Sequence, residues 1–88
     1  MKIEFEKHFI KEVDKLKDAK LKEDIREAIE DAKKATKMAD LMNTKKLKGF
    51  KTAYRIKTGN YRIGIFFQDS IITFVAFDHR KDFYKHFP

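Results

Sequence analysis

Residues 54–67 read YRIKTGNYRIGIFF. Tyr54 and Ile56 alternate with Arg55 and Lys57. Tyr61, Ile63, Ile65 and Phe67 then alternate with Arg62, Gly64 and Phe66. A period of two marks a β-strand with one buried face. The intervening TGN supplies a tight three-residue turn in which Gly59 is free to take positive φ. The stretch therefore predicts a hairpin. Tyr54, Ile56, Tyr61, Ile63, Ile65 and Phe67 form its core face, and Arg55, Lys57, Arg62, Gly64 and Phe66 share the uncovered one. Like charges opposed across strands destabilise a sheet, and the hairpin contains no acidic residue to offset them. Three cations on one face thus point to an anionic ligand. Gly64 leaves a hollow among them and Phe66 offers an aromatic platform, a combination suited to a nucleotide phosphate and a stacked base.

The charge distribution agrees with this reading. Residues 1–40 hold eleven Lys/Arg and eleven Asp/Glu, which cancel. Residues 41–88 hold ten Lys/Arg against three Asp, so the whole net charge of +7 lies in the second half. One basic region on an otherwise balanced surface is the footprint of a polyanion site.

Outward from the hairpin, KIEFE (residues 2–6) alternates apolar and charged residues as a short strand. Phe9, Val13 and Leu16 then recur at helical spacing, as do Leu21, Ile25, Ala28, Ile29, Ala32 and Ala35. The five-residue step from Leu16 to Leu21 breaks the phase and predicts two helices with a break near Asp18 to Lys20; no Gly or Pro marks that break, so one long helix is the alternative. The segment 36–51 reads as a loop or short helical turn, with Met38, Leu41, Met42, Leu47 and Phe50 as anchors to the core. After the hairpin, QDS turns the chain into IITFVAFD, a third strand apolar on both faces and so expected to be central. The fold class is α+β: an N-terminal strand, a two-helix hairpin, then an antiparallel β-meander with the helices on one face.

At 88 residues the chain is expected to form one domain, 1–88, that buries roughly 60% of its unfolded surface and gains from a partner. With no cysteine it has neither disulfides nor thiolate metal ligands. The N-terminus lacks the apolar core of a signal peptide, and IITFVAF is too short to span a bilayer. No membrane association and a cytoplasmic location are the expectation.

The tail, HRKDFYKHFP, carries further chemistry. His79 is able to exchange a proton near neutrality, Arg80 is a fixed fork for phosphate oxygens, and Tyr84 can donate a proton. If the end of the third strand returns them to the cationic face, they complete a kit for cleaving RNA through its own 2′-hydroxyl. His8, at a helix start, and His86, near the chain end, read as structural. No motif for a metal, a nucleoside triphosphate or another cofactor is present. Ser70 is the only serine and lies in a turn, which argues against a serine nucleophile.

The Tyr-Arg-Ile-Lys strand, the Gly turn, YRI with its Arg62, the apolar strand and the closing HRKDFY together resemble the RelE/ParE superfamily of type II toxin–antitoxin toxins. The similarity is strongest from Leu47 to Tyr84. A RelE-like member implies a ribosome-dependent mRNA endoribonuclease that blocks translation by metal-independent 2′-OH attack. The resemblance places Arg55 and Lys57 on the family's basic strand and Arg62 at the scissile phosphate. It matches Arg80 and Tyr84 to the C-terminal Arg and Tyr, and His79 to a catalytic His of some members. Lys57, Arg62, His79, Arg80 and Tyr84 are then the candidate catalytic residues, and Arg55, Lys57, Arg62, Phe66 and Lys81 the candidate RNA contacts. Arg55 stands where the best-known pattern has Lys, and a guanidinium cannot act as a general base. That leaves His79, Lys57 or Tyr84 for the role. The implied partners are a cognate antitoxin, mRNA and the ribosome. ParE-like members, which share the fold, poison DNA gyrase instead, and a non-catalytic RNA-binding relative is a third possibility.

Overall fold

The computed structural model describes residues 1–88. Its strands are β1 (Lys2–Phe5), β2 (Thr44–Lys46), β3 (Ala53–Thr58), β4 (Tyr61–Gln68) and β5 (Ile71–His79). Its helices are α1 (Lys7–Asp14), α2 (Ala19–Lys34) and the four-residue α3 (Phe83–His86). The strands form one sheet in the order β1-β5-β4-β3-β2. β3, β4 and β5 are the expected antiparallel meander. β1 joins β5 in parallel, and β2 adds a fifth strand antiparallel to β3.

The hairpin follows the alternation of its sequence. Tyr54 faces Ile65 and Ile56 faces Ile63, while Arg55 faces Gly64 and Lys57 faces Arg62. Its turn is tighter than expected, because Thr58 pairs with Tyr61 and leaves only Gly59 and Asn60 to close it. Gly59 takes φ +58°, a region open to glycine at little cost. In the next turn Asp69 and Ser70 both have positive φ, 54° and 62°. That is the signature of a type I′ turn, whose twist matches that of the flanking strands.

α1 and α2 cover one sheet face. Phe9, Leu21, Ile25 and Ala32 pack there against Ile56, Ile63, Ile65, Ile72, Phe74 and Phe77. The Phe9 ring lies 5.6 Å from Phe74 and 5.9 Å from Phe77. Each buried Leu, Ile or Phe among them contributes about 1.5–3 kcal/mol, so this layer is the main source of stability. The break between the helices falls at residues 15–18, slightly earlier than predicted. Asp18 begins α2 by accepting a bond from the Leu21 amide at 3.1 Å, which satisfies one of the free N–H groups of the first turn.

Three expectations need correction. The segment 36–51 contains a 3-10 turn at Met38–Asp40, but also β2, where the sequence predicts only a loop or short helical turn. A three-residue strand is too short for period two to register. Leu41 is buried as expected, whereas Met42 is 80% and Phe50 50% exposed, so neither anchors the core. Finally, the second sheet face is not bare. Phe83 and Phe87 from the tail bury themselves there with Ala53, against Leu47, Phe66, Val75 and Ala76. A bulge at Gly64/Ile65 sets Gly64 opposite Ala76 and Ile65 opposite Phe74. Val75 is the extra residue, and both it and Ala76 pack in the tail's layer.

Candidate nucleic-acid interface

The register builds two cross-strand rows on the face away from α1 and α2. One runs Lys45, Arg55, Gly64 across β2, β3 and β4. The next runs Lys57, Arg62, Asp78 across β3, β4 and β5. Directly opposed side chains stand about 4.5–5.5 Å apart at Cβ, so four cations occupy a patch the width of a nucleotide or two. Part of their repulsion is absorbed by backbone carbonyls. Arg55 Nη1 donates to the Asn43 carbonyl at 2.9 Å. Arg62 Nη1 donates to the carbonyls of Tyr61 at 2.9 Å and Gly59 at 3.1 Å. A guanidinium has five N–H donors, so each arginine is oriented through one nitrogen and keeps donors for an anion.

The remaining charge is not neutralised by ion pairs. Lys20 with Asp24, Arg26 with Glu23 and Lys33 with Glu30 form pairs along α2. The hydrogen-bonded carboxylate of Asp24 raises the Lys20 pKa, and Glu23 does the same for Arg26. Lys45, Arg55, Lys57, Arg62, Arg80 and Lys81 enter none of the molecule's ion pairs. Six of the ten cations of residues 41–88 are thus unpaired on the sheet's second face or in the loop after β5.

The hollow at Gly64 is filled. A methyl group at that position would lie 2.7 Å from the Phe87 ring. Phe66 packs against the same ring at 5.2 Å between centroids. The expectation of an open hollow with Phe66 as a free stacking platform is therefore corrected: the chain's own Phe87 takes the place envisaged for a base.

The tail residues divide. The Arg80 amide donates to the Asn60 carbonyl at 2.8 Å, which ties the loop after β5 to the tip of the β3–β4 hairpin. Arg80 and Lys81 thereby stand exposed beside the turn onto which Arg62 folds back. Tyr84 is 57% exposed on α3, edge-on to Phe83 at 5.0 Å. His79 pairs in register with Tyr61 and rests edge-on to its ring at 5.6 Å. Tyr61 belongs to the helix-side face, so alternation sends His79 to the opposite side of the sheet from Arg62. The expectation that the strand end returns His79 to the cationic face is corrected on this geometry. His79 Nδ1 accepts from the Lys81 amide at 3.2 Å.

Two residues on the cationic face escaped the sequence reading. Asp78 is the cross-strand partner of Arg62. His86 reaches Asp78 with 3.1 Å between Nδ1 and Oδ2. A signal for the second was present in FYKHF, where Phe83 and Phe87 sit four apart. That spacing makes an anchored helical turn rather than a loose end, and it places His86 over the sheet.

A family model for the ParE toxin of the type II toxin–antitoxin system parDE matches residues 3–84. The chain belongs to the RelE/ParE superfamily of toxins. A toxin called RelE3 from Methanocaldococcus jannaschii is 38% identical over 89 residues, covering 100% of both chains. The toxin in the RelB–RelE antitoxin–toxin complex from Methanococcus jannaschii superposes with a TM-score of 0.79 at 33% identity. The match covers 97% of this chain and 99% of that one. The isolated Escherichia coli RelE toxin shares the fold, with a TM-score of 0.67 at 20% identity, over 89% and 82% of the two chains. As in those RelE/ParE relatives, one sheet carries the helices. In this toxin no helix is long and apolar enough to cross a membrane, and no group of His, Asp and Glu is arranged to hold a metal ion.

Proposed function

We propose that this toxin is a ribosome-dependent mRNA endoribonuclease, in which the RNA's 2′-hydroxyl attacks the neighbouring phosphate. The observation that carries the reading is the unpaired row of Lys57 and Arg62, flanked by Arg55 and by Arg80 at the hairpin tip. Phosphorane charge develops on the non-bridging oxygens, and fixed guanidinium donors stabilise it most where they are already oriented. Arg62 is oriented by two turn carbonyls, so little reorganisation accompanies the reaction. Lys57 and Arg55 hold the flanking phosphates, Arg80 and Lys81 extend the track, and Tyr84 lies on the tail beside them. The 38% identity to a toxin called RelE3 supports the RelE side of the superfamily.

The partner we propose is a cognate antitoxin. The RelE of 33% identity was captured with RelB, and a basic face favours a segment of opposite charge. A second reading, a gyrase inhibitor without chemistry of its own, is favoured by the ParE description of the matching family model.

The test is primer extension on a reporter mRNA under translation in a purified system, with wild-type protein and Arg62→Ala. Discrete cuts at A-site codons that vanish in the variant are expected. An uncut message from a folded, toxic wild type, together with gyrase-dependent DNA breaks, would replace this reading with the second. Salt-sensitive RNA binding with neither outcome would make the chain a non-catalytic relative.

A further inference from the structure

We propose that Asp78 and His86 supply the proton acceptor of this site, with His86 Nε2 as the base for the attacking 2′-hydroxyl. The inference rests on the nuclease reading above and names the group which that reading leaves open.

Its first support is position. Asp78 directly opposes Arg62, and His86 contacts Asp78. The register thus makes Arg62 and Asp78 backbone neighbours on one sheet face, and the imidazole lies against the Asp78 carboxylate.

The second support is tautomer. A carboxylate only accepts hydrogen bonds, so at the 3.1 Å contact with Asp78 Oδ2 it is His86 Nδ1 that carries the proton. In the neutral ring the lone pair is then on Nε2, on the side away from Asp78. The other Asp78 oxygen, Oδ1, accepts from the His79 amide at 2.8 Å, which fixes the carboxylate. His79 has the reverse arrangement: its Nδ1 accepts from the Lys81 amide, so its neutral ring holds the proton on Nε2 and has no free lone pair.

The third support is anchorage. His86 is 68% exposed, open to a substrate. The backbone on either side of it is pinned by Phe83 and Phe87, which are 0% and 4% exposed. The Phe87 amide also bonds the Phe83 carbonyl at 3.0 Å. Other charged groups border the cleft on its α1 side, namely Glu6, His8 and Glu12. His8 and Glu12 pair with each other, and Lys85 pairs with Asp82 on the tail. Asp78 is the carboxylate that touches His86.

His86 Nε2 takes the 2′-hydroxyl proton as the 2′-oxygen bonds to phosphorus. The P–O5′ bond breaks, leaving a 2′,3′-cyclic phosphate. The departing 5′-oxygen takes a proton from water, and the imidazolium returns its own proton to water.

The test uses the full chain and ribosome-bound mRNA in single-turnover assays, with ribosome binding measured in parallel. His86→Ala is expected to cut at least about 100-fold more slowly with unchanged ribosome binding, and added imidazole is expected to restore part of the rate. Asp78→Asn is expected to slow cutting by about tenfold or more, and Asp78→Glu to recover much of that loss. If His86→Ala does not fold, His86→Gln serves, since it keeps a donor for Asp78 and has no basic nitrogen; the same loss is expected. A His86 variant that cuts at the wild-type rate, or a loss that imidazole leaves untouched, would overturn the proposal. A wild-type protein that cuts nothing would remove the nuclease reading itself and this pair with it.

Discussion

Phe87 sits directly on the backbone of Gly64, so close that a single methyl group there would lie 2.7 Å from Cγ and Cδ1 of the ring. Glycine is required here for space, and its φ is unremarkable. Gly64→Ala must push the ring away and loosen the tail. Overpacking of this kind costs about 1–3 kcal/mol, read as a lower urea midpoint at constant slope. In Phe87→Ala the clash is absent, so adding Gly64→Ala to it is expected to cost less than Gly64→Ala does alone. Strict additivity in that double-mutant cycle would contradict the packing.

Arg62 should be irreplaceable by lysine. Arg62→Ala is expected to reduce mRNA cutting by about 100-fold or more, the scale of losing one oriented donor to a developing anion. Arg62→Lys keeps the charge but not the fork, so it should preserve ribosome binding and recover little cutting. The fold should lose no more than about 1 kcal/mol from the missing turn bonds. Full activity in Arg62→Lys would show that charge alone suffices at this position.

The β4–β5 turn is a place to gain stability. Ser70 has φ +62°, and a left-handed conformation costs a non-glycine residue about 1–2 kcal/mol. Glycine adds about 0.4–1 kcal/mol of unfolded-state entropy to be lost, which is the smaller effect. Ser70→Gly should therefore stabilise the chain, and Asp69→Asn with Ser70→Gly, the preferred pair for this turn, should do so further. Thermal melts of the two variants decide the matter: a lower Tm in both would refute the strain argument.

Asp40 predicts a pH dependence. The Thr36 hydroxyl bonds its carboxylate at 2.9 Å and the Thr36 amide at 3.1 Å. These bonds, the hydroxyl first, hold its pKa below the ordinary value. A depressed carboxylate stabilises the fold above its unfolded pKa and loses that contribution as pH falls through its folded one. Asp40→Asn should thus be less stable than wild type at pH 7, and the gap in Tm should close as the pH drops below roughly 4. A gap independent of pH would mean that the ionised form has no special role.

Much of this was legible in the sequence because period two and the helical stripes are strong signals. The hairpin's two faces, the paired helices and the cationic patch all follow from the alternation around Arg55, Lys57 and Arg62. What was missed depends on contacts distant in the chain. Nothing local says that β1 lies parallel to β5, or that three residues near Thr44 complete an edge. A bulge at Gly64/Ile65 changes which residues of β5 face the tail, and no residue pattern announces it. The exchange of His79 for His86 on the cationic face has two causes: alternation carries His79 to the Tyr61 side, and Phe87 finds its seat on Gly64.

The pairing of the first strand with the last sets a timing for the molecule's birth. Lys2 to Phe5 have no partner until residues 71–74 arrive, and the N-terminal amine awaits the end of α2, where it donates to the carbonyls of Lys33 and Ala35. A nascent chain that has emerged only as far as β4 has helices without their full floor and a sheet open on one side. Arg62 has by then met Lys57, but not Asp78. The surface proposed to act on ribosomes is therefore assembled only once β5 and the segment after it have left one.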